Sequence, residues 1–123
     1  MHIVLADPDR DILLCFSRLL ELEGYTAATA FDAAELFRLW DESRPDLIIL
    51  NAELPRLSLK KTAARITEDR VPLLVLGTGQ NAPAASGDGL LSYLAYPFSP
   101  DEFLQQAAAL LKKKETDEVT DHE

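Results

Sequence analysis

Short apolar runs alternate with longer amphipathic stretches along the whole chain. Ile3-Val4-Leu5-Ala6 reads as a buried strand. Asp7-Pro8-Asp9 follows, with Asp7 expected to cap a helix and Pro8 to occupy its first position. Ile12, Phe16, Leu19 and Leu20 share one face of that helix, and Gly24 stops it. Tyr25 to Ala30 is a weaker, alanine-rich strand. Asp32 with Glu35 forms a capping-box pattern that opens a helix carrying Leu36, Leu39 and Trp40. Leu47-Ile48-Ile49-Leu50 has no polar alternation, as expected of a strand covered on both faces. Ser58 to Asp69 reads as a third helix with Leu59, Ala63 and Ile66 inward, and Val71 to Leu76 as another apolar strand. Leu90 to Ala95 is the fifth strand. Ser99-Pro100-Asp101-Glu102 supplies a cap, an N-terminal proline and early acids to a last helix that buries Phe103, Ala107, Leu110 and Leu111.

Five strands alternating with helices predict an α/β domain: a flavodoxin-like, doubly wound, five-stranded parallel sheet of order 2-1-3-4-5. The Gly77–Gly89 segment carries four glycines and Pro83, which predicts a reduced or missing fourth helix and a mobile connection. Residues 1–112 form the predicted domain. Residues 113–123, largely polar and acidic, are expected to be a disordered tail or linker stub.

Composition narrows the function classes. A formal charge of −9, from 21 acidic and 12 basic residues, argues against direct contact with nucleic acid or an anionic membrane. No apolar run approaches a bilayer span and no leader is evident, so a cytoplasmic location is expected. The single cysteine, Cys15, cannot form an intrachain disulfide, and its apolar surroundings predict burial.

Arg44-Pro45-Asp46 before the Leu47–Leu50 run, with Asn51 and Leu54-Pro55 after it, resembles the third strand of the response-regulator receiver domain. The resemblance extends over about residues 2 to 112. It implies that position 51 is the phosphoacceptor aspartate, yet Asn51 stands there and offers no carboxylate nucleophile. The family's acidic, magnesium-binding pair aligns with Asp7 and Pro8, with Asp9 at a further position that is often acidic. The strand-end hydroxyl position holds Gly77, and Thr78 is one residue late, pointing to the other face. Tyr93 matches the switch aromatic, Tyr96 replaces the lysine, and Pro97 is expected to follow a cis peptide.

The fold-building positions are kept while most chemistry-bearing ones are lost. The expected function is therefore a bacterial two-component receiver-like module, not an enzyme, acting without aspartyl phosphorylation and without a cofactor. Its partner would be another protein or a second copy, bound on the face that the family forms from its fourth helix, fifth strand and fifth helix, with Leu90, Leu91 or Tyr93 more exposed than usual. Two alternatives have different signatures. A small-ligand or divalent-cation sensor would use Asp7, Asp9, Glu53 and Asn51 at the strand ends. A flavin-binding or catalytic protein would need a phosphate-cradling loop after the first strand, which Asp7-Pro8-Asp9 does not provide.

Overall fold

The computed structural model describes residues 1–79 and 89–120, except the side chains of 63, 66, 67 and 115–120. Its elements are β1 (His2–Ala6), α1 (Arg10–Leu22), β2 (Thr26–Ala30), α2 (Ala33–Ser43), β3 (Leu47–Asn51), α3 (Leu59–Asp69), β4 (Leu73–Gly77), β5 (Leu91–Ala95) and α4 (Pro100–Thr120). The strands form one parallel sheet in the order β2-β1-β3-β4-β5, the predicted doubly wound arrangement. Strand residues alternate between two cores because successive side chains leave a strand on opposite faces. Val4, Ala6, Ile48, Leu50, Leu73 and Val75 meet Leu36 and Trp40 of α2. Ile3, Leu5, Leu47, Ile49, Leu74 and Leu76 meet Leu13 and Leu20 of α1 and Phe103, Ala107 and Leu110 of α4. The central strands are covered on both sides, which is why their sequences are apolar throughout.

Local capping chemistry sets several boundaries. Asp32 Oδ1 accepts from the Glu35 N–H at 2.8 Å, and the Ser99 hydroxyl accepts from the Glu102 N–H at 3.1 Å. Gly24 ends α1 at φ +92°, a conformation that costs a glycine little. The start of α1 differs from expectation. Asp9, not Asp7, is its cap, with Oδ1 accepting from the N–H groups of Asp11 and Ile12. The chain bends at Pro8 and the helix begins at Arg10, which leaves Asp7 outside it.

Three further differences have simple causes. Cys15 is exposed, because α1 turns Leu13, Ser17 and Leu20 inward, with Phe16 and Leu19 partly buried beside them. An apolar run longer than the buried stripe must place some members outside. Leu90 is buried, whereas Leu91 and Tyr93 are half-buried against the α2-side core. The backbone of α4 continues helical to Thr120, through residues where a disordered tail was expected. The lysines and glutamate that follow Leu111 are good helix formers, and they extend a helix already nucleated by packing. The expected mobile segment of the β4–β5 connection falls mostly on residues 80–88, which lie outside the described residues.

Candidate functional site

Register brings the candidate residues together. Ala6 pairs with Leu50, so the residues that follow them, Asp7 and Asn51, stand side by side at the carboxyl edge. Asn51 pairs with Leu76, and Gly77 with Ala95, which places Gly77 and Tyr96 on the same edge. The Tyr96 N–H donates to the Gly77 carbonyl at 2.8 Å, and the Ala52 N–H to the Leu76 carbonyl at 2.8 Å. This is the sheet edge where open α/β folds place ligands.

Asp7 is 1% exposed. Its Oδ1 accepts from the Asp9 N–H at 2.8 Å, and its Oδ2 accepts from the Asn51 side-chain amide at 3.1 Å. Asn51 Oδ1 in turn accepts from the Glu53 N–H at 2.8 Å. The amide orientation is thereby determined: only its oxygen can accept from Glu53, so its NH2 must face Asp7. Burial raises the Asp7 pKa, and the neighbouring Asp9 charge adds to this. The hydrogen bonds from Asp9 and Asn51 act in the opposite direction.

This arrangement does not fit the divalent cation of an ordinary receiver. Pro8 offers no ligand, both Asp7 oxygens already accept hydrogen bonds, and Asn51 aims N–H donors where a metal would need lone pairs. Glu53 joins the site through its backbone, and the residue is exposed. Among the described residues no group of three or more His, Cys, Asp or Glu side chains is placed to hold a metal.

Tyr96 occupies the lysine position and brings a neutral ring rather than a cation. Its ring stacks on Phe98 at 4.7 Å between centroids, and its hydroxyl is buried with no hydrogen-bond partner among the described residues. The Tyr96–Pro97 peptide is cis. Burial pushes the Tyr96 pKa up to about 12, with Asp7 and Asp9 adding to the rise. The ordinary value is 10.0, so the unfolded chain releases this proton first as pH rises. Tyr96 therefore contributes stability that is complete below about pH 10 and is lost as pH rises through about 12. A near-ultraviolet absorbance titration of the folded protein should show a tyrosine step at about pH 12, and Tyr96→Phe should remove that step. Persistence of that step in the variant would place Tyr96 outside this acidic, desolvated environment.

Gly77 is glycine for a reason that its sequence neighbours do not reveal. A Cβ built there would overlap the Tyr93 hydroxyl and lie 3.2 Å from both the Tyr93 Cζ and the Ala52 Cβ. The Tyr93 hydroxyl is held by the Gly79 N–H at 2.6 Å. The tyrosine of β5 thus brings its own hydroxyl to the end of β4, where the resemblance expects a side-chain hydroxyl from position 77. Thr78 is exposed beyond the strand. Asp7, Asn51, Gly77, Tyr93 and Tyr96 are therefore all at one edge, whereas Asp9 is engaged in capping. The Tyr93–Gly77 interlock has no local sequence signal, because it depends on the pairing of β4 with β5.

Residues 3–108 match the family model of the response regulator receiver domain. The transcriptional regulatory protein PrrA of Mycobacterium tuberculosis is 34% identical over 118 residues, covering 92% of this chain and 51% of PrrA. The response regulator MprA of Mycobacterium ulcerans is 32% identical over 128 residues, covering 98% of this chain and 55% of MprA. The chain thus spans about half the length of these curated relatives. The crystal structure of the signal receiver domain of an HD domain-containing protein from Pseudomonas fluorescens superposes with a TM-score of 0.81 at 25% identity, covering 95% of this chain and 90% of that one. The signal receiver domain of a putative Luxo repressor protein from Vibrio parahaemolyticus also gives 0.81, at 17% identity, over 97% and 95% of the two chains. Among the described residues no helix is long and apolar enough to cross a membrane.

Proposed function

This chain belongs to the response regulator receiver domain family of two-component signalling, and from that premise we propose that it signals without taking phosphate at position 51. One observation carries the reading. The Asn51 amide is locked between the Glu53 N–H and the Asp7 carboxylate, and it offers a donor where the chemistry requires a nucleophilic oxygen. Tyr96 supplies no positive charge to a transferring phosphoryl group, and Gly77 supplies no hydroxyl. What remains is a folded surface that docks to other proteins. The favoured surface is the β5 edge with α4. β5 is the last strand of the sheet and only half-buried for most of its length, whereas β4 beside it is buried throughout. Since the chain matches about half of each curated relative, it would serve as the input module of a longer regulator.

Incubation with acetyl phosphate and magnesium should leave the intact mass unchanged, and the sedimentation profile should be the same before and after. An acid-stable, base-labile gain of one phosphoryl group would overturn the proposal.

A further inference from the structure

A second concave site lies at the opposite, amino-terminal edge of the sheet. It is a cleft of about 450 Å³ lined by Trp40, Asp41, Arg44, Pro45, Arg65, Asp69, Val71 and Lys114. Its volume is within the range of small-molecule sites. The charges lining it are not equivalent. Arg65 is already satisfied: it pairs with Asp41 and with Asp69 and lies over the Trp40 ring at 4.5 Å. Both lining carboxylates are thereby occupied.

Arg44 and Lys114 remain. The Lys114 side chain is 20% exposed, and its ammonium makes a long ion pair with Asp46 Oδ1 at 3.7 Å among the described residues. The other oxygen of Asp46 accepts from the His2 N–H at 2.7 Å. No carboxylate pairs with Arg44 among the described residues, and its backbone is left-handed, at φ 46° and ψ 69°. A glycine would adopt that conformation more readily, and the following Pro45 disfavours helical conformations at position 44 further. Trp40 is buried, and its indole N–H has no acceptor among the described residues. An exposed arginine with no carboxylate partner among the described residues and a largely buried lysine with a long ion pair thus line one cleft, beside a buried indole, in a chain whose formal charge is −9.

We propose that this cleft binds a small organic anion, its oxyanion held by Arg44 and Lys114 and its apolar body set against Trp40, Pro45 and Val71. The oxyanion is a phosphate or a carboxylate, both of which suit a guanidinium and an ammonium acting together. The site is independent of position 51, so its existence does not depend on whether the domain takes phosphate.

Trp40 is the chain's only tryptophan, so its emission reports on this cleft directly. The whole chain would be titrated with phenyl phosphate, benzoate and inorganic phosphate. At least one organic anion should shift Trp40 emission saturably, with half-saturation at about 1 mM or below. The tighter of the two identifies the preferred oxyanion. Inorganic phosphate should bind at least tenfold more weakly than the tighter organic anion, since it lacks the apolar body. Arg44→Gly removes the guanidinium while relieving the left-handed backbone, so its melting temperature should hold or rise while binding weakens tenfold or more. Lys114→Gln should weaken binding similarly. The proposal is overturned if neither organic anion saturates, if inorganic phosphate binds as tightly as they do, or if both variants bind like the parent.

Discussion

Asn51→Asp should destabilise the domain by about 2–4 kcal/mol at neutral pH, although it restores the residue the family uses. The Asn51 amide now donates to the buried Asp7 carboxylate at 3.1 Å. Aspartate would replace that donor with a second negative charge, and no lysine stands at position 96 to compensate. Two adjacent carboxylates cannot both ionise cheaply, so one of them would take up a proton at higher pH than usual. The Asp7 pKa is already raised by burial, which sets the sign. A raised carboxylate contributes stability that is complete below its ordinary value of 3.8 and is lost as pH rises through the raised value. The deficit of the variant should therefore be largest at neutral pH and shrink on acidification. Urea unfolding of both proteins in a chelator-containing pH series measures it. Equal stability at neutral pH would show that the amide does not hold Asp7. The same variant should remain a poor phosphoacceptor, because Gly77 and Tyr96 still withhold a hydroxyl and a cation. Phosphorylation at an ordinary receiver's rate would contradict that.

Gly77→Thr should cost about 1–3 kcal/mol, the usual range for overpacking. Gly77 is not one of the positive-φ glycines, so the new side chain meets no backbone penalty. The obstacle is steric: its Cβ would overlap the Tyr93 hydroxyl and press on the Ala52 Cβ. Since the hydroxyl is the end of a rigid ring, relief requires the ring to swing out and break its bond to the Gly79 N–H. Tyr93→Leu removes the ring and should make Gly77→Thr much less costly. A double-mutant cycle would then show a coupling of about 1 kcal/mol or more. Additive losses would mean that the two positions do not compete for the same space.

The sequence alone determined the architecture, because the relevant signals are local or periodic. The unbroken Leu47–Leu50 run encodes a strand covered on both faces, and Asp32 and Ser99 cap their helices through bonds spanning three residues. The family resemblance placed Asn51 and Tyr96 at the strand ends, and strand register brings both to that edge. Other features were decided by tertiary structure. Asp7 has the residue type and position of a cap, but α1 begins at Arg10 with Asp9 as its cap, and Asp7 meets an amide 44 residues away. Cys15 belongs to an apolar run, but only the docking of α1 reveals which of its faces is covered. Along the sequence Gly77 is only a missing hydroxyl; the pairing of β4 with β5 lets Tyr93 fill the space. The cleft around Trp40, Arg44 and Lys114 joins the end of α2 and its C-terminal cap to α4, which is far away in sequence. Caps and hydrophobic periods depend on residues within a turn or two of each other, so they can be read along the chain. Contacts made across the sheet depend on register and helix docking, which arise only when the whole chain packs.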